Sequence, residues 1–118
     1  MAINLNWIKC DGEKWCDFLK LNLSSSHFDN LNGVYIIWYN GNPGKVVRLG
    51  QGVIKDRLTQ HRADSEILAY QKYGLFVTWA QVLANQMDGV EAHLANILNP
   101  LVGERFPNVN PIVVNAPW

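Results

Sequence analysis

Arg57 and His61 stand four residues apart in VIKDRLTQHR, the spacing that puts two side chains on one face of a helix. A guanidinium carries a fork of donors that matches a phosphate and keeps its charge at any relevant pH. An imidazole beside it can donate a hydrogen bond or move a proton. Glu91 follows on a later helical stretch, and its carboxylate can hold a hard divalent cation such as Mg²⁺ or Mn²⁺ through oxygen. Tyr35 lies upstream in GVYIIWY, where a hydroxyl facing cations can act as a base toward water. Arg48, between Val47 and Leu49 in a short apolar run, must emerge on a wet or anionic face. These residue types suit cleavage of a phosphodiester.

Each of them also has a structural reading. Arg57 and His61 fit a solvated helix face. Asp88-Gly-Val-Glu91 fits a D-x-x-E capping box, in which the carboxylate turns back to its own backbone. Tyr35 fits ordinary strand packing. His27 and His93 have no partner at a suggestive spacing, and P-loop, G-x-S-x-G and paired Cys/His zinc patterns are absent from the sequence.

The elements that must position these residues follow from the apolar pattern. GVYIIWY and KVVRL, rich in Val, Ile, Tyr and Trp, are predicted strands of a hairpin joined through Asn40, Gly41, Asn42, Pro43 and Gly44. Gly50 and Gly52 then open a helix running to about Arg62. A short second helix is expected from Asp64 or Ser65 to Gly74, a third strand at LFVTWAQV, and a helix from Gly89 to Leu98 capped by Asp88 and stopped by Pro100. Val90, Leu94, Ile97 and Leu98 form its expected buried stripe. Trp15, Phe18 and Leu19 lie at helical spacing, which predicts an amphipathic helix over Glu13–Leu21 with Asp11 as its cap. The tail from Glu104 is expected to be extended or irregular. The fold class is therefore α+β: a small three-stranded, mostly antiparallel sheet flanked by helices, in one domain over residues 1–118.

At 118 residues and 48% apolar, the chain can bury an ordinary core. No apolar run reaches membrane-span length, so no membrane partner is expected. Cys10 and Cys16 are too few for a disulfide framework and are expected as free thiols. With an N-terminus lacking signal-peptide features, that points to a cytoplasmic protein. Formal charge is zero, which by itself argues against a general polyanion binder. The charge is uneven, however. Between Gly44 and Arg62 five cations (Lys45, Arg48, Lys55, Arg57, Arg62) face one acid, Asp56. Lys45, Lys55, Arg62 and Arg48 are thus candidate substrate contacts, or else a solvated face.

In order and spacing, these residues resemble the GIY-YIG nuclease domain over about residues 33–103. Gly33-Val34-Tyr35 is similar to the first signature triplet, and Arg48-Leu49-Gly50 stands where the second belongs. Arg57, His61 and Glu91 match the arginine, histidine and glutamate that follow. The resemblance implies an endonuclease acting on nucleic acid, DNA first, with one divalent metal on Glu91. It implies Arg57 as stabiliser of the transition-state charge and Tyr35 as base or water-orienting group, assisted by His61. A partner protein would supply specificity. Two positions depart from the pattern: Arg48 replaces the second tyrosine, and Gly103 stands where an asparagine is usual. The alternative implied by Arg48 is an inactive module of the same fold that binds nucleic acid or protein.

Overall fold

A computed structural model describes residues 2–10, 12, 14–40, 45–103 and 108–118. The alternating β-branched and aromatic residues form a hairpin of two long strands, β3 (Asn32–Tyr39) and β4 (Lys45–Val53). The loop between them, from Gly41 to Gly44, lies outside the described residues. Ahead of the hairpin lie β1 (Ala2–Ile3) and β2 (Cys16–Asp17). After it come α1 (Ile54–His61), α2 (Ser65–Leu68), β5 (Leu75–Gln81), α3 (Met87–Leu98) and β6 (Val113–Val114).

The main sheet has four antiparallel strands in the order β2-β5-β3-β4, one more than the three expected. The fourth comes from the segment expected to be a helix over Glu13–Leu21. Trp15, Phe18 and Leu19 do have helical spacing, but Cys16 and Asp17 pair with Val77 and Phe76 instead. The Phe18 amide donates to the Leu75 carbonyl, and the Asp17 carboxylate accepts from the amides of Leu19 and Lys20, closing a turn. Long-range pairing overrides a short amphipathic pattern because the ladder satisfies backbone groups that a two-turn helix would leave open at both ends. The proposed cap, Asp11, lies outside the described residues.

A second correction concerns the cysteines. Cys10 and Cys16 form a disulfide that ties the N-terminal segment to β2, so neither is a free thiol. Disulfides are rare in reducing compartments, so these cysteines do not point to a cytoplasmic protein. No helix among the described residues is long and apolar enough to cross a membrane. In the tail, expected to be extended or irregular, Val113–Val114 is extended and pairs in parallel with Ala2–Ile3 as a second small sheet.

Alternation in β3 and β5 sends side chains to both faces, and both are covered. On one face Tyr35, Ile37, Val77 and Trp79 pack with Ile54 and Leu58 of α1 and Ile67 of α2. On the other, Val34, Ile36, Leu49 and Ala80 pack with Val90 and Leu94 of α3. Of the stripe expected on α3, Ile97 is instead exposed and Leu98 only half-buried. β4 is the edge strand, and both α1 and α3 pack against it. That arrangement brings two helices from opposite faces to one sheet edge.

Candidate functional site

Register places the cluster. Tyr35 pairs with Gly50 on one side and Trp79 on the other, while Ile37 pairs with Arg48. Tyr35 and Arg48 therefore project from the same face, diagonal to one another across two strands. A bulge between Ile37 and Trp38 leaves Val47 as the extra residue on β4, which sets this register. Gly50 makes the arrangement possible. A Cβ there would lie 2.4 Å from the Tyr35 hydroxyl, so any larger residue would expel the ring. Two residues on, Gly52 has φ +128°, a conformation open to glycine, and a Cβ would sit 2.9 Å from Arg57 Nε. Arg57 thus lies back against the end of β4 and is an exposed residue.

Tyr35 is 1% exposed and His61 9%, and the tyrosine hydroxyl is hydrogen-bonded to His61 Nε2. Burial, reinforced by the charge of Arg48 and then Arg57, holds the imidazole pKa down at about 4, against a partial counter-effect from Asp64. His61 is therefore neutral at pH 7. We assign the hydroxyl as donor to Nε2, which leaves the ring proton on Nδ1. Burial also raises the Tyr35 pKa, against the opposing pull of Arg48 and Arg57. The expectation of an acidified Tyr35 does not hold for the free protein: desolvation outweighs both cations.

Glu91, 7% exposed, sits in the second turn of α3. The capping-box reading fails, because α3 begins at Met87 with Gln86 as its N-cap and no side-chain cap bond. Asp88 is inside the helix, and its Oδ1 accepts from Gln51 Nε2 at 2.6 Å. The Gln51 amide also hydrogen-bonds Glu91 and favours its ionised form. Burial dominates, with the Asp88 charge adding to it, so the Glu91 pKa stands above the ordinary carboxylate value despite Arg48 and Arg57.

Arg48 is the hub. Its charge acts on Tyr35, His61 and Glu91 alike, and it hydrogen-bonds the Tyr35 hydroxyl. Its Nε is buried and has no hydrogen-bond partner. A buried donor without an acceptor is costly, about 1–3 kcal/mol.

Five sequence candidates, Tyr35, Arg48, Arg57, His61 and Glu91, are thus brought into one electrostatic cluster. The remaining three are not. Lys55 is exposed in the first turn of α1. Lys45 lies at the far end of β4, lining a separate cavity. Arg62, expected to meet substrate, is committed elsewhere: Nε and Nη2 donate to the Phe18 carbonyl at 3.1 and 2.8 Å, and Nη2 also donates to the Leu21 carbonyl. It ties the end of α1 to the turn after β2. Sequence reading missed Gln51, whose signal was a polar residue between two glycines, and assigned Asp88 only as a cap. His27, which has no partner at a suggestive spacing in the sequence, accepts from the distant Trp79 Nε1 at 3.1 Å.

Whether these residues suit a divalent cation can be judged from Glu91 and Asp88, one helical turn apart, whose mutual repulsion raises the Glu91 pKa. No group of three His, Cys, Asp or Glu gathers among the described residues. One or two hard carboxylates fit Mg²⁺, which keeps several waters and takes further oxygens from a phosphate. A metal demanding a full protein cage would not be suited. No family model, curated protein or solved structure matches this chain.

Proposed function

We propose that the β4 edge is the site of a metal-assisted phosphodiesterase acting on nucleic acid, DNA first, of the GIY-YIG kind. The observation that carries this reading is the convergence of Arg48 and Arg57 on Tyr35, His61 and Glu91, with the Arg48 Nε lacking an acceptor.

In this reading Arg57 and Arg48 bind the non-bridging oxygens and stabilise the charge that grows on them as water attacks phosphorus. Tyr35 orients the water, and its proton passes through the tyrosine hydroxyl toward His61 Nε2. A pKa of about 4 makes His61 a weak base in the free protein. Bound phosphate counters the two guanidinium charges that help depress that pKa, so substrate itself strengthens the base. Glu91, with Asp88 beside it, would hold a Mg²⁺ or Mn²⁺ ion, which when bound polarises the phosphate and stabilises the leaving oxygen.

Supercoiled plasmid incubated with Mg²⁺ or Mn²⁺ tests the proposal, beside Glu91→Gln and EDTA controls. Nicking that disappears in both controls is the expected result. Intact plasmid at high protein concentration with either metal would reject catalysis.

One observation favours a second reading. Arg48 occupies the place of a phenol in the signature and is a fixed cation. A module that binds nucleic acid without cutting would leave plasmid intact yet retain it, with affinity falling steeply as salt rises.

A further inference from the structure

Gln51 sits between two glycines in β4 and pairs with Val34 of β3. Alternation along the strand sends it, with Leu49, toward α3, while Gly50 faces Tyr35. On the helix, Asp88 and Glu91 are three residues apart and share one face of α3. Gln51 Nε2 donates to Asp88 Oδ1 at 2.6 Å, and the same amide hydrogen-bonds Glu91. An amide nitrogen carries two hydrogens, so one half-buried side chain serves both carboxylates.

The helix does not fix these carboxylates by its own start. α3 begins without a side-chain cap bond, and other segments hold its first turn. The Ile112 amide donates to the Gly89 carbonyl at 2.9 Å, and a Cβ at Gly89 would lie 2.6 Å from Ile112 Cγ1. Gln51 supplies the second hold, at Asp88. Like charges one turn apart repel, and unrestrained rotamers would carry them away from each other. A donor shared between them offsets that repulsion. Its neutrality matters as much as its reach. A lysine at position 51 could serve the same oxygens, but it would also cancel the negative charge that attracts a divalent cation. An amide takes one lone-pair site from each carboxylate and leaves the other sites, and the charge, in place.

We propose that Gln51 is the positioning residue of the β4 edge, holding Asp88 and Glu91 together as an oxygen pair for one divalent cation. The inference rests on the metal-assisted reading of this site and assigns within it a residue that acts through the two carboxylates. Hydrogen-bond partners of metal-ligating groups are worth roughly 10–100-fold in metal affinity. A merely structural Gln51 predicts something different. The start of α3 would loosen whenever the amide is replaced, so cation affinity would follow the melting temperature.

The test is Mn²⁺ titration at neutral pH, followed by the electron paramagnetic resonance signal of the free ion. Wild type, Gln51→Ala, Gln51→Lys and Glu91→Gln are compared, with thermal melts of each in EDTA. The expected result is Mn²⁺ affinity weakened roughly 10–100-fold in Gln51→Ala. Gln51→Lys should bind Mn²⁺ more weakly still, yet melt at or above the wild-type temperature, since its ammonium meets both carboxylates. Equal Mn²⁺ affinity in wild type and Gln51→Ala would overturn the assignment. So would weaker binding by Gln51→Lys accompanied by a lower melting temperature, which would make Gln51 a structural residue. A wild type that binds no Mn²⁺, or Glu91→Gln binding it unchanged, would overturn the carboxylate site and this inference with it. Plasmid nicking judges the nuclease separately. Nicking with Mn²⁺ affinity indifferent to Gln51 keeps the nuclease and removes the role of Gln51, and Gln51-dependent Mn²⁺ binding without nicking does the reverse.

Discussion

At its start β4 carries Lys45 and Val46 into a cavity walled by indoles. From Arg48 onward the same strand carries a guanidinium and two glycines into a cluster of ionisable groups. Both ends lie on the sheet edge, but they are constructed differently. The cavity end is made by large side chains in contact and by a loop hydrogen-bonded along β4. The cluster end is made by removing side chains, since Gly50 leaves room for Tyr35 and Gly52 for Arg57. Aromatic walls pack through area, which tolerates variation. Charges held in a desolvated cluster act through position, so a shift of a fraction of an ångström matters there.

The sharpest way to break this contrast is Arg57→Ala. Arg57 is exposed, so the melting temperature should stay within the error of the wild-type value while nicking falls by about 10²–10³. A comparable loss of stability would make Arg57 a structural residue and erase the difference between the ends. Gly50→Ala comes next: its Cβ would meet the Tyr35 hydroxyl, and such overpacking should cost about 1–3 kcal/mol in urea denaturation.

His61 gives a pH signature. Its folded pKa of about 4 lies below the ordinary 6.5, so between those values the unfolded chain takes up a proton that the folded protein does not. Stability from this group is present in full above pH 6.5 and falls as pH drops toward 4. Melting temperatures of wild type and His61→Gln should diverge across that window, the wild type showing the steeper decline. Parallel curves would mean that His61 is not held neutral by its surroundings. The smallest effect belongs to the cavity end: Lys45→Ala should leave plasmid nicking at the wild-type level, because Lys45 lines a separate cavity away from the cluster.

Much of the cluster was legible because its spacing is local. Arg57 and His61 are one helical turn apart, and Tyr35 and Arg48 belong to a hairpin whose β-branched runs are unmistakable. The segment around Cys16 was misread for a physical reason. Trp15, Phe18 and Leu19 satisfy a helical period, yet Cys16 is claimed by β5 and by Cys10. Arg62 was grouped with the other cations by proximity in sequence, although two backbone carbonyls of the N-terminal segment take its donors. No local pattern announces such a partner.

By itself the sequence determined the hairpin, the helix that follows it and the identity of five side chains able to handle a phosphate, because periodicity and residue chemistry are properties of neighbours along the chain. Tertiary structure decided the rest. It brought Glu91 from α3 to the opposite side of the β4 edge from α1, turned Asp88 from a cap into a partner of Gln51, and left Arg48 Nε without an acceptor. It also set the protonation of His61, Tyr35 and Glu91, for in each of them the largest effect is burial, and burial exists only once distant segments have packed together.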